Sequence, residues 1–182
     1  MRIATETLDN EQQHLWRQLY DRSVSGWKEV SPSQEFFNKF RIHMSSTPRL
    51  SDIVIPNFRI FPVYGKLDND DFFRLLANRT FPVNARLRDP DNQNYLAERD
   101  LWHDNCHIPF LYSREMQNFL TNLGLLWEYS KNEWSKGKLR RQAIERVYWA
   151  TAEFGLTYND GAFAVLGAGI MSSADELDIA IS

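Results

Sequence analysis

The sequence predicts an α+β fold, predominantly helical with a few short strands, and three observations carry that expectation. Apolar residues recur at three- and four-residue intervals through most of the chain, the period of a helix packed on one side. Ser, Asp and Pro stand where those runs begin, as caps and first-turn residues do. Extended apolar pieces are few and short: "FRIFPVYG", "FPVNARLR" and "AFAVLGAG". With 182 residues and no internal repeat, low-complexity tract or linker, the chain is expected to form a single domain over 1–182.

The elements follow in order. Residues 7–24 place Leu15, Trp16, Leu19, Tyr20 and Val24 at helical spacing. "SPSQEFFNKF" opens a second helix, with Ser31 as N-cap, Pro32 in the first turn and Gln34 closing a capping box. Residues 45–57 read as a loop. "FRIFPVYG" is a strand ending at Gly65, and Pro62 puts it at a sheet edge. Asp68 caps a helix that buries Phe72, Leu75 and Leu76. After "FPVNARLR" and the polar loop "DPDNQN" comes a helix holding His103 and His107, ended by Pro109. Ser113 opens the next, with Met116, Phe119, Leu120 and Leu123 inward, and "YSKNEWSKGK" is a polar connection. Leu139–Phe154 is helical; its second half, "VYWATAEFG", is apolar on every side and therefore expected to be buried, with Gly155 as the stop. "YNDG" is a turn, and "SSADE" a capped start to the last segment.

Composition removes several function classes. A net charge of −3 without a run of Lys or Arg gives no stripe for nucleic acid. No stretch is long enough to span a bilayer, and "MRIATETLDN" lacks the apolar core of a leader, so a soluble, cytoplasmic protein is expected. One cysteine allows neither an internal disulfide nor a Cys-only zinc cluster. Aromatic residues, 12 Phe, 7 Tyr and 6 Trp, suit either a core or a pocket for a flat ligand.

The chemistry concentrates in "RDLWHDNCHIPFLYS". His103 and His107 stand four apart, so both project from one helical face, either as packed core histidines or as two ligands of one ion. Glu153 lies in the stretch expected to be buried. An ionised carboxylate there needs a partner, which is either Arg146 two turns earlier or a metal shared with the histidines. Two imidazoles and a carboxylate on one side of an ion form the facial arrangement of non-haem Fe(II) oxygenases.

The blocks "HLWRQLYDR", "FPVYGKLDNDDFFRLLANRTFPVNARLR", "LWHDNCHIPFL", "VYWATAEFGL" and "GAGIMSSADEL", in this order, resemble the pterin-dependent aromatic amino acid hydroxylases, most closely the bacterial phenylalanine hydroxylases. The resemblance implies a catalytic-domain-like fold and an Fe(II)- and tetrahydropterin-dependent monooxygenase (tetrahydrobiopterin or a relative). Its reaction divides O2 between the pterin and an aromatic amino acid, phenylalanine by default. It assigns the iron to His103, His107 and Glu153, and the substrate carboxylate to Arg88, fifteen residues before His103. Gly65, Leu67, Phe72 and Asp104 fall on the pterin site, Tyr148 and Trp149 on the walls of the iron pocket, and Ser172 on a position that orients a ligating imidazole.

The chain also departs from that pattern. The family's histidines are five apart with a glycine before the second; here they are four apart and Cys106 takes that place. Removing one residue turns a helical side chain by about 100°, so the ion site has to be rebuilt locally. Leu96, Ala97 and Arg99 replace a Thr-Pro-x-Pro-like stretch, and Pro82 stands where a histidine is usual. The family's catalytic domains continue beyond "DELDIAIS", so the C-terminal part that walls the substrate pocket and supports tetramers is expected to be lacking, leaving a monomer. An altered or inactive family member, kept as a metal-binding or structural module, is the alternative.

Overall fold

Asp9 starts the first helix: its carboxylate accepts from Gln12 N, and the Gln12 side chain returns a bond to Asp9 N, so two end groups are satisfied together. The computed structural model describes residues 8–47, 49–89, 99–133, 135–159 and 161–182. Leu96, Ala97, most of the "DPDNQN" loop and the first residues of "MRIATETLDN" lie outside them. Helix α1 (Asn10–Val30) runs past the expected end at residue 24, because Trp27 and Val30 extend its buried face. Helix α2 (Gln34–Met44) is capped by Ser33, whose hydroxyl accepts from Phe36 N. Ser31 and Pro32 are thus not its first turn: Ser31 closes α1, donating to Trp27 O at 2.5 Å. Both serines suit a cap, and the sequence alone does not separate them.

Strands β1 (Arg59–Val63) and β2 (Thr80–Asn84) pair in parallel and are joined by helix α3 (Asn69–Ala77), a small βαβ unit. Parallel strands need such a crossover. Each strand of this two-stranded sheet keeps an open edge, which is why Pro62 and Pro82 fit. Asp68 caps α3 as expected, and the helix buries Phe72, Phe73 and Leu76, while Leu75 is only partly covered. Helix α4 (Leu101–His107) carries the histidines and is followed directly by a 3-10 turn over Ile108–Tyr112. The α-helix thus stops just before Pro109, as expected, and the chain continues as a tighter turn. Helix α5 (Arg114–Ser130), capped by Ser113, packs on α3. At their crossing a Cβ on Gly124 would stand 2.3 Å from Ala77 N, so nothing larger fits.

Helix α6 (Gly137–Tyr148) passes into a π-helical turn, Trp149–Glu153. This stretch is not buried all round: Val147 and Trp149 are 43% and 42% exposed, and Tyr148, Ala152 and Glu153 turn inward. Helix α4 is the longer of two that are buried on every side, all seven residues of it. Strands β3 (Leu156–Asn159) and β4 (Ala162–Val165) form an antiparallel hairpin; β3 is an element the sequence reading left as a turn. Helices α7 (Ala168–Met171) and α8 (Ala174–Ile181) follow, α8 packing on α1. Trp16, Trp27 and Trp102 meet in the core, Trp27 donating to Met171 O and Trp16 to Met44 O. Among the described residues no helix is long and apolar enough to cross a membrane.

Candidate metal centre and adjoining cavity

Asp100 builds the N-terminus of α4. Its Oδ1 accepts from His103 N at 3.0 Å, and the carboxylate takes Arg88 Nε and Nη2, each at 2.8 Å, as a two-pronged pair. Arg88 N adds a third bond, so the chain after β2 is fastened to the helix. From this fixed start one regular α-turn separates the histidines. Their ring centroids lie 5.3 Å apart at 73°. The missing residue is absorbed without a bulge in α4.

Glu153 reaches the same point from the π-turn. Phe154 N bonds Trp149 O, five residues back, and this wider turn swings residue 153 inward. Its backbone is pressed from behind: a Cβ on Gly167 would come within 2.1 Å of Glu153 O, and one on Gly169 within 2.9 Å. Only residues without side chains fit there. The carboxylate then stands 3.1 Å from His103 Nε2 and 3.3 Å from His107 Nε2. Arg146 is exposed on α6, and the structural Arg146–Glu153 pair does not form.

The three ligand atoms lie within 4.8 Å of one another, all on buried residues. Two ligands about 2.1 Å from an ion and at right angles are about 3.0 Å apart, close to both nitrogen–oxygen separations. Neither approach has the alignment of a hydrogen bond, and Glu153 Oε2 and His107 Nε2 are enclosed donor or acceptor atoms without one. Buried polar atoms in that state cost stability unless something binds them, so the donor set fits a divalent cation. Burial holds His107 below the ordinary imidazole range despite the opposing carboxylate, keeping it neutral as a ligand must be. Desolvation pushes Glu153 up, but the facing imidazoles outweigh it and the carboxylate ends well below its usual range.

Ser172 sets the tautomer of His103. Its hydroxyl donates to Gly169 O at 3.2 Å and therefore accepts from His103 Nδ1–H at 2.9 Å, leaving the Nε2 lone pair toward Glu153. Cys106 is fully buried and not part of the cluster; desolvation raises its thiol well above the ordinary range. It is an inert core group.

A cavity of about 450 Å³ opens beside the triad, and Glu153 forms part of its wall. Gly65, Leu67, Phe72, Asp104, Tyr148 and Trp149 all line it, as does Arg99. Tyr148 Oη is enclosed without a hydrogen bond, and burial keeps the phenol protonated. Arg88 does not line the cavity: its side chain is 1% exposed and its fork is filled by Asp100. A second groove, about 530 Å³, lies along α6 and Trp149 and is lined by none of the three triad residues. Asp100, Gly167 and Arg99 were missed as site-builders in the sequence. The signal for Asp100 was there, an N-cap residue three before His103.

With the geometry in place, comparison with known proteins defines the class. The profile of the biopterin-dependent aromatic amino acid hydroxylases matches residues 7–182, and the chain belongs to that family. Phenylalanine-4-hydroxylase of Caulobacter vibrioides is 29% identical over 179 residues, 94% of this chain and 59% of that protein. The Chromobacterium violaceum enzyme of the same name is 36% identical over 126 residues, 65% of this chain and 39% of that protein. A crystal structure of Chromobacterium violaceum phenylalanine hydroxylase, with bound iron(III) and oxidised 7,8-dihydrobiopterin, superposes with a TM-score of 0.80 at 28% identity. The match covers 93% of this chain and 63% of that one. The chain thus spans between two fifths and three fifths of the length of these two curated relatives.

Proposed function

We infer that the chain binds Fe(II) through His103, His107 and Glu153 and supports tetrahydropterin-dependent hydroxylation of an aromatic amino acid, phenylalanine being the first to test. The convergence of two imidazoles and one carboxylate, within 3.3 Å across each nitrogen–oxygen pair, carries this reading. Iron and a tetrahydropterin, when bound, supply the electrons and the coordination chemistry that activate O2. The chain's own part is positional. Ser172 holds His103 in the ligating tautomer, the π-turn and the Gly167–Gly169 cradle hold Glu153, and buried α4 keeps water from behind the histidines. Phe72, whose ring carries Arg99, forms part of the cavity wall with Gly65 and Leu67, an aromatic and apolar surface that suits a flat heterocycle. Tyr148 places a protonated phenol in the same cavity. Trp149, half exposed and stacked on Phe154, forms the outer part of the wall toward the substrate.

A second reading, the family scaffold with altered chemistry, draws on Arg88. Its guanidinium is bound to Asp100, so a substrate carboxylate reaches it only by sharing or displacing that pair.

Anaerobic titration should show about one Fe(II) per chain, lost in Glu153→Ala. Tetrahydropterin and O2 consumption with phenylalanine, tyrosine or tryptophan would then follow. Iron binding without turnover on any of the three favours the second reading, and absence of iron binding sinks both.

A further inference from the structure

Arg99 lines the cavity with its guanidinium over two aromatic rings. Its Nε donates to Asp104 Oδ1 at 2.6 Å, and its guanidinium carbon lies 4.9 Å from the centre of the Phe72 ring and 5.2 Å from that of Phe81. A cation held over two rings is fixed in orientation. Each oxygen of Asp104 thus holds one bond, since its Oδ2 accepts from Asn84 N at 2.6 Å. On the arginine, Nη2 is enclosed and has no hydrogen-bond partner among the described residues. Enclosed donors of charged groups are costly to leave unmade.

We propose that Arg99 is a ligand-recognising residue of this cavity, selecting a flat ring that carries an anionic acceptor such as a carboxylate. The inference rests on the reading of the cavity as a pterin site and deepens it. A carboxylate at residue 104 with free oxygens would favour ring N–H groups. Here each oxygen already holds a bond, one of them from Arg99, and the guanidinium lines the cavity beside it, which adds a charged donor to the contact. The enclosed charges of the wall agree. Asp104 is paired with Arg99, and Glu153 faces the imidazoles and the ion they fit, so among the described residues the half-buried Glu145 is the remaining unpaired carboxylate of the inner wall. Lys66, Asp68 and Glu145 complete the lining, and of these Lys66 and Asp68 stand in solvent, where screening weakens them. Arginine's fork also suits a carboxylate better than a point charge does.

Calorimetric titration of the full chain with oxidised, redox-inert pterins tests this: neutral 6-methylpterin against pterins carboxylated at C6 or at C7. One of the carboxylated rings should bind at least about ten-fold tighter, the size of a charge-assisted bond of about 1.4 kcal/mol or more. Arg99→Leu should bring the two affinities within about two-fold, while Arg99→Lys keeps part of the preference. If Arg99→Leu does not fold by circular dichroism, Arg99→Gln, uncharged and close in length, replaces it. Equal affinity for neutral and carboxylated rings, or a preference that survives loss of the guanidinium, overturns the role of Arg99 and leaves the pterin reading standing. Binding of none of the rings overturns both.

Discussion

Ser172 decides which nitrogen of His103 carries a proton, by giving its own to Gly169 O. Ser172→Ala removes that choice without opening the fold, and iron affinity should fall about ten- to a hundred-fold in a chelator competition. Gly167 acts on the other ligand. Gly167→Ala pushes a methyl into Glu153 O, and the chain should lose about 1–3 kcal/mol in a urea melt together with most of its iron binding. Cys106, fully buried with a raised pKa, should resist thiol reagents until the chain is unfolded. At this scale the sequence pointed to the three residues that converge and was poor for their supports. His103, His107 and Glu153 are chemically conspicuous, whereas Gly167 matters only through a neighbour fourteen residues away that the chain folds back onto. Arg99 was legible as a departure, but not as a side chain laid over Phe72, because nothing local dictates that rotamer.

Helices were read well where end chemistry is local. Asp68, Ser113 and Ser173 each cap the helix that follows them. Asp68→Ala should cost about 1 kcal/mol by denaturant melting, and more in cavity order than a surface change would, because α3 carries Phe72. The π-turn was not legible. Hydrophobicity predicted a helix buried all round at 147–155; Val147, still in regular α6, and Trp149 face outward, and the wider turn that follows brings Glu153 in. Strand β3 was missed because its partner β4, not its own pattern, makes Leu156–Asn159 extended.

For the molecule as a whole, α4 must meet the π-turn to assemble the triad, and pH acts on α4 from its other side, through its packing on α2. His43 links α2 to α4 through Asn105 at 3.3 Å, and burial lowers its pKa from 6.5 although the amide partly opposes this. The unfolded chain then binds more protons, so stability is full above about pH 6.5 and declines as the pH falls toward the folded-state value. His107, lowered for the same reason in the metal-free chain, adds to the slope. Thermal melts of His43→Gln from pH 8 to 5 should show a shallower decline than the parent, with His107's share remaining. The fold class, predominantly helical with few strands, needed only the periodicity; the meeting of α4 with the π-turn needed the resemblance or the coordinates.

The β3–β4 hairpin leaves the centre and returns to it: Leu166 N and Gly167 N both bond Gly155 O, at 2.8 and 3.1 Å, closing its base beside Glu153. Whatever is grafted near Gly161, such as a fluorophore or a short peptide, hangs from a shut clasp, and the iron content of such a chimera should match that of the parent by metal analysis.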